Sequence, residues 1–215
     1  MKKFNVILFD IDGTIADTDA LLIKAMYKLY DLYRDGNRSP YAKVITFSGP
    51  PIEETLQFEF AYMDVNFMFE EFKKYFEVLY ETDLKDFPNC RKMTESLIKK
   101  GYKLGIITNK KHNSAIYCLK AMGYDKYYDV IVGFDDVEKP KPNGEPIKKA
   151  MLFFGETNTS KVLYVGDNAS DYVCAKDAGV KSMIVTWGPR EFPKNLKPDY
   201  FLNDFAELEE MIEHE

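Results

Sequence analysis

Cysteine is scarce in this chain: Cys90, Cys118 and Cys174 are its whole complement. An odd number of widely spaced thiols, none at metal-ligand spacing, excludes a disulfide framework and reads as buried thiols in a reducing compartment. Excess basic charge is also missing. Lys and Arg number 29 against 35 Asp and Glu, for a net charge of −6, and the lysines are dispersed. Nucleic acid is therefore not expected as the main partner, since phosphate backbones demand clustered Lys and Arg. No apolar run is long enough to span a membrane, and the roughly six apolar residues after Met1-Lys2-Lys3 are too few for a signal peptide. Repeats and low-complexity tracts are absent as well. The expectation is an ordinary soluble, cytoplasmic globular protein, monomer or homodimer, whose 46% of apolar residues suffices for a sizeable core.

What the chain does contain is organised around Phe4-Asn5-Val6-Ile7-Leu8-Phe9-Asp10-Ile11-Asp12-Gly13-Thr14. The apolar run reads as a strand buried on both faces, punctuated by Gly13. Asp10 and Asp12 then sit at a strand's C-terminal edge, where ligands bind in open α/β sheets. Three further signals follow in order. Leu104-Gly105-Ile106-Ile107 ends in Thr108-Asn109, a Pro-rich loop carries Lys141, and Val162-Leu163-Tyr164-Val165 runs into Gly166-Asp167-Asn168-Ala169-Ser170-Asp171.

Strand and helix signals alternate around these stretches. Strands are expected at 102–107, 128–132, 161–165 and 181–186, with a short last one at 199–202. Helices are expected at 93–100, 112–122, 147–154, 171–178 and 205–214. This repetition predicts a doubly wound, Rossmann-like parallel sheet flanked by helices.

Between Ile15 and Lys85 the pattern is helical, with no strand signal. Leu21 to Tyr33 has apolar residues at three- and four-residue spacing and stops near Asp35-Gly36-Asn37. After the loop Ser48-Gly49-Pro50-Pro51, Glu53 to Tyr80 reads as two more helices. Its many aromatics are read first as filling for a thin helical core, with a substrate pocket or a dimer surface as the other readings. Ile15 to Asp19 and Asp83 to Pro88 are the two hinges.

The four signals together resemble the haloacid dehalogenase superfamily of phosphatases, whose motifs run Asp-x-Asp-Gly-Thr, Ser/Thr, Lys and Gly-Asp-x-x-x-Asp. The resemblance extends from Phe4 to about Trp187 and implies an α/β core with strand order 5-4-1-2-3. That core would comprise residues 1–14 and 86–215, with 15–85 inserted as an all-helical cap. The small cap and the Gly-Pro-Pro loop look like those of the phosphoglycolate phosphatase branch and its pyrophosphatase relatives. The loop is either a substrate-contacting segment or a plain helix connection.

The resemblance implies Mg2+-dependent hydrolysis of a small phosphorylated metabolite. Asp10 would be the nucleophile, forming an aspartyl-phosphate. Asp12 would be the acid/base that protonates the leaving oxygen and then activates water. Asp10, Asp167 and the backbone carbonyl of Asp12 would bind the metal, and Asp171 would hold a metal-bound water or the lysine, or else serve only as a helix N-terminal acid. Thr108, with the backbone at Ile11 and Gly13, Asn109 and Lys141, would hold the phosphoryl oxygens. The resemblance also implies Lys141 over Lys139, because the family's lysine stands six residues before the first apolar residue of the next helix, here Ile147. Lys110, Lys111 and His112 are read as a solvated helix start. Inorganic pyrophosphatase, a β-phosphoglucomutase-type transferase and a non-catalytic binding module are the alternatives.

Overall fold

The central strand β1 (Val6–Phe9) is wholly buried, and its alternating side chains serve two different cores. Ile7 and Phe9 pack into one apolar cluster and Val6 and Leu8 into another, on opposite faces of the sheet. A strand with apolar residues at every position is stable only when both faces are covered. The chain meets this demand by winding helices onto both sides.

The structure is a computed structural model describing residues 2–188 and 192–213. After β1 come four helices, α1 (Asp19–Tyr33), α2 (Tyr41–Val44), α3 (Ile52–Glu59) and α4 (Val65–Thr82). The alternation then resumes with α5 (Cys90–Lys99), β2 (Lys103–Ile107), α6 (His112–Ala121), β3 (Val130–Val132), α7 (Glu145–Phe154), β4 (Val162–Gly166), α8 (Ala169–Ala178), β5 (Lys181–Val185), β6 (Tyr200–Leu202) and α9 (Phe205–Glu213).

Among the described residues all six strands are parallel, in the order β3-β2-β1-β4-β5-β6. Read from the far edge, this is the expected 5-4-1-2-3 order with one strand added beyond β5. Ile7 lies opposite Leu104 on one side and Leu163 on the other, so the ends of β1, β2 and β4 emerge together. Helices α7 and α8 cover one face through Ile147, Ala150, Cys174 and Ala175. Leu97 of α5, Leu119 of α6 and Phe205 of α9 belong to the cluster on the other.

Boundaries differ from the sequence reading mostly at the ends. Helix α8 begins two residues before the expected Asp171, because Asn168 caps it by accepting from Ser170 N. Helix α2, directly after Pro40, carried too short a pattern to be read. The expected last helix included His214, which lies outside the described residues. Among the described residues, no helix is long and apolar enough to cross a membrane. The three cysteines are buried and unpaired, and burial pushes their thiols up to about 12.

The helices of residues 19–82 pack on one another, and their buried apolar side chains join the same cluster as Ile7 and Phe9 of β1. Glu59 is nearly inaccessible among them and accepts hydrogen bonds from Tyr30 (2.7 Å), Ser39 (2.7 Å) and Arg34 (2.9 Å), with the Lys43 ammonium 2.5 Å away. The two connections from this layer to the sheet run side by side. Asp17 N donates to Lys85 O (2.9 Å), and Phe87 N donates to Ile15 O (3.2 Å).

Candidate active site

Strand geometry brings the first acid into place. Asp10 N donates to Val165 O (2.9 Å), extending the β1–β4 ladder by one residue, so the Asp10 side chain emerges at the end of β4. The chain then turns, with Gly13 N–H donating to Ala16 O (2.9 Å). The Gly13 amide is thereby used in shaping the turn, as is Thr14 N–H, which donates to Ile11 O (3.2 Å), so within the Asp10–Thr14 loop it is Ile11 and Asp12 whose N–H groups are left to meet a ligand.

Strand β4 delivers the second group of acids. Glycine at position 166 is required, since a Cβ there would fall 2.4 Å from the Asp171 side chain. Asp171 is buried and works in two directions. Its Oδ2 accepts from the backbone N–H of Asp167 (3.1 Å) and Asn168 (2.9 Å) at the start of α8, while Oδ1 accepts from Lys141 Nζ (2.7 Å) and Tyr164 Oη (2.9 Å). One carboxylate thus joins the start of α8 to the Lys141 ammonium.

Lys141 arrives from the loop before α7 and is 4% exposed, whereas Lys139 faces solvent. Its Nζ lies 3.0 Å from Asp10 Oδ1 but off the hydrogen-bonding direction, so that buried oxygen has no hydrogen-bond partner. Burial resists the charge on Lys141, but Asp10 and Asp171 outweigh it and keep the ammonium protonated. Carboxylate oxygens of Asp10, Asp167 and Asp171 all lie within 4.8 Å of one another, and all three residues are buried.

Burial raises the Asp10 carboxyl to about 7; Lys141 opposes this, and Asp171 and Asp12 add to it. Counting Asp10, Asp12, Asp167 and Asp171 against Lys110 and Lys141, the site has two more acids than bases. A dry cluster of hard oxygen donors with surplus negative charge and an orphaned carboxylate oxygen fits a small divalent cation. The Asp12 side chain is not part of this group. It faces away, accepting from Thr18 Oγ1 (2.7 Å) and paired with Lys110 Nζ at 2.9 Å.

Lys110 is the main departure from the sequence reading. It was expected to be solvated, yet its side chain is only 13% exposed and closes over Asp12. Burial raises the cost of ionising Asp12, but Lys110 and Thr18 more than offset it and hold the carboxyl below its usual range. The one available signal was position: Lys110 stands two residues after Thr108, at the same sheet edge. Lys111 is half-exposed and pairs with Glu53 at 2.7 Å, and His112 binds Asp136 Oδ2 (2.6 Å), away from the acids.

Thr108 ends β2, its N–H donating to Val132 O (3.0 Å), and is buried beside the acids. Asn109 Nδ2 donates to Lys141 O (3.2 Å) and also to Gly49 O (3.0 Å) in the helical layer. Asn168, which the sequence reading did not single out, makes a matching contact from Nδ2 to Ser48 O (3.3 Å). The 48–51 loop is thus tied to two of the four motifs. Between sheet edge and helices lies one cavity, with Asp10, Asp12, Thr108, Asn109 and Lys141 on its floor.

A doubly wound sheet with carboxylates and a buried lysine at its C-terminal edge, roofed by inserted helices, defines a class of α/β hydrolases whose site is built from acids and lysines. The chain belongs to the haloacid dehalogenase-like hydrolases, whose family model matches residues 7–185. It is 31% identical over 217 residues to pyrophosphatase PpaX of Halalkalibacterium halodurans, covering 98% of this chain and 97% of that protein. Its fold superposes with a TM-score of 0.83 on a predicted phosphoglycolate phosphatase from Haemophilus somnus, at 24% identity, covering 98% of this chain and 99% of the other. CbbY from Rhodobacter sphaeroides, solved with phosphate, matches with a TM-score of 0.79 at 20% identity, covering 95% and 96% of the two chains. The protein is a hydrolase of the phosphatase type.

Proposed function

We propose that the protein hydrolyses a small phosphate monoester in two displacements at phosphorus, with Asp10 as the covalent carrier. The observation that carries this reading is Asp10 itself, with one buried carboxylate oxygen lacking a hydrogen-bond partner, between Lys141 and the other two acids of the cluster. Asp10, Asp167 and the Asp12 backbone carbonyl would hold Mg2+, with Asp171 behind them. Bound there, Mg2+ would supply the positive charge that lets a phosphate dianion approach a carboxylate.

In the first displacement an Asp10 oxygen bonds to phosphorus, the ester P–O bond breaks, and the Asp12–Lys110 pair gives its proton to the departing oxygen. In the second, Asp12 takes a proton from water as the water oxygen attacks the phosphorus of the acyl phosphate, freeing Asp10 and inorganic phosphate. The Thr108 hydroxyl and the Lys141 ammonium meet the charge on the phosphoryl oxygens. Residues 15–85 would act as a cap, closing through the paired hinges for the first step and opening for release.

Phosphoglycolate, inorganic pyrophosphate and a β-phosphoglucomutase-type transfer share this chemistry and differ in what leaves or accepts. The resemblance noted in the sequence points to the first of these and the PpaX relative is named for the second, which is what those proteins suggest and not what the cavity lining of this chain selects. Phosphate release from acetyl phosphate is the test. It should require Mg2+, vanish in excess chelator and not be restored by Ca2+, which prefers more ligands at longer distances. Full activity in chelator would overturn the reading.

A further inference from the structure

The floor of the cavity is polar, and its roof is mostly apolar. Leu22 of α1, Phe47, and Phe69, Phe72, Phe76 and Tyr80 of α4 line the side facing Asp12 and Thr108. Phe72, Phe76 and Tyr80 recur every four residues and therefore lie along one stripe of the helix. Their rings form a ladder, with centroids 4.9 Å apart from Phe72 to Phe76 and 4.9 Å from Phe76 to Tyr80. The ladder continues to Tyr117 of α6 at 5.8 Å. These residues are therefore both the filling of the helical layer and the wall of the site.

The charged groups around the cavity complete the picture. A second anionic group on the substrate, such as a distal phosphate or a carboxylate, needs a cation that is not already neutralised. Each lining lysine has an acid beside it: Lys110 with Asp12 at 2.9 Å, Lys111 with Glu53 at 2.7 Å, Lys73 with Glu77 at 3.9 Å, and Lys141 with Asp10 and Asp171. Glu53 and Glu77 also line the roof, so these pairs bring no net positive charge to it.

We infer that the leaving group this site accepts is an uncharged, ring-sized apolar alcohol, so that the substrate is an aryl or arylalkyl phosphate monoester. The inference rests on the phosphatase reading above and adds the substrate class to it. The phosphoryl group meets the acids and lysines of the floor. The ring lies against the Phe72–Phe76–Tyr80 stripe, and the ester oxygen falls to Asp12.

The test compares kcat/KM of the wild-type protein with Mg2+ on benzyl phosphate, ethyl phosphate, phosphoglycolate and inorganic pyrophosphate, with acetyl phosphate as a reference. Benzyl and ethyl esters have leaving alcohols of similar acidity, so their ratio reports binding of the ring. Benzyl phosphate should exceed each of the other three by about tenfold or more, the scale of one well-filled apolar subsite. The Phe72→Leu and Phe76→Leu variants should lower the benzyl-to-ethyl ratio.

Inhibition of the wild-type protein covers the case in which those variants fail to fold. Benzylphosphonate should inhibit about tenfold more strongly than methylphosphonate or methylenediphosphonate. Preference for pyrophosphate or phosphoglycolate, or equal inhibition by the three phosphonates, would overturn the inference while leaving the phosphatase reading intact. Absence of acetyl phosphate hydrolysis would overturn both.

Discussion

Lys110 Nζ stands 2.9 Å from Asp12 Oδ2 and 3.0 Å from Oδ1, and both side chains are mostly buried. The pair holds one proton, and it resides on the lysine, because the same contact keeps the Asp12 carboxyl ionised. Asp12 thus waits in the form suited to activating water, with the proton for the leaving group one hydrogen bond away.

Lys110→Met should therefore harm esters in proportion to how badly their leaving group needs a proton. With ethyl phosphate the loss in kcat should be about a hundredfold, within the range for losing a general acid, and with 4-nitrophenyl phosphate about tenfold or less. A leaving-group series on wild type and variant measures this. Equal losses across the series would mean that Lys110 only supports the fold.

Asp10→Asn should abolish turnover by several decades, as deletion of a covalent nucleophile does, without loss of stability. The side chain keeps its shape, and the charge it removes is one that burial and neighbouring acids already disfavour. Melting in chelator should give a variant Tm at or above that of wild type, and acid-quenched protein incubated with labelled acetyl phosphate should retain label only in the wild type.

Gly49 carries the cap loop's contact with the motifs. Its φ is +114°, and an added Cβ would lie 2.4 Å from Asn168 Nδ2. Gly49→Ala is strained in its backbone and also pushes apart the loop and Asn168. kcat/KM should fall about tenfold or more for bulky esters and by a smaller factor for acetyl phosphate, which does not need the roof. Uniform loss across substrates would make the loop a plain lid.

Glu59 tests the interior of the helical layer. Burial opposes its charge, but Lys43, Ser39 and Tyr30 outweigh this and hold the carboxyl below its ordinary value of 4.5. Because the folded value is the lower one, the stabilisation is fully present above pH 4.5 and is lost as pH falls through the folded value. Glu59→Gln should cost about 2–3 kcal/mol near neutral pH, since it leaves buried donors and Arg34 without an acceptor of matching charge. In denaturant titrations the gap to wild type should be constant from about pH 6 to 8 and shrink below the unfolded carboxyl value.

The chain's local chemistry determined the strands and the acids. A run such as Val6-Ile7-Leu8-Phe9 has one stable environment, buried on both faces, and in a parallel sheet the residues just after such runs must gather at one edge. That is why Asp10, Thr108 and Asp167 were legible as neighbours though scattered over 158 residues, whereas Lys141 was preferred to Lys139 only through the lysine-to-helix distance of the family it resembles. What the tertiary structure decided depends on contacts between elements with no shared period. Lys110 reads as a surface lysine until Asp12 is placed opposite it. Asn109 and Asn168 are ordinary loop residues until Ser48 and Gly49 descend between them. The stripe Phe72–Phe76–Tyr80 has the spacing of any core helix, and only the packing of α4 over the end of β1 shows that the same rings that fill the helical layer also face the catalytic acids.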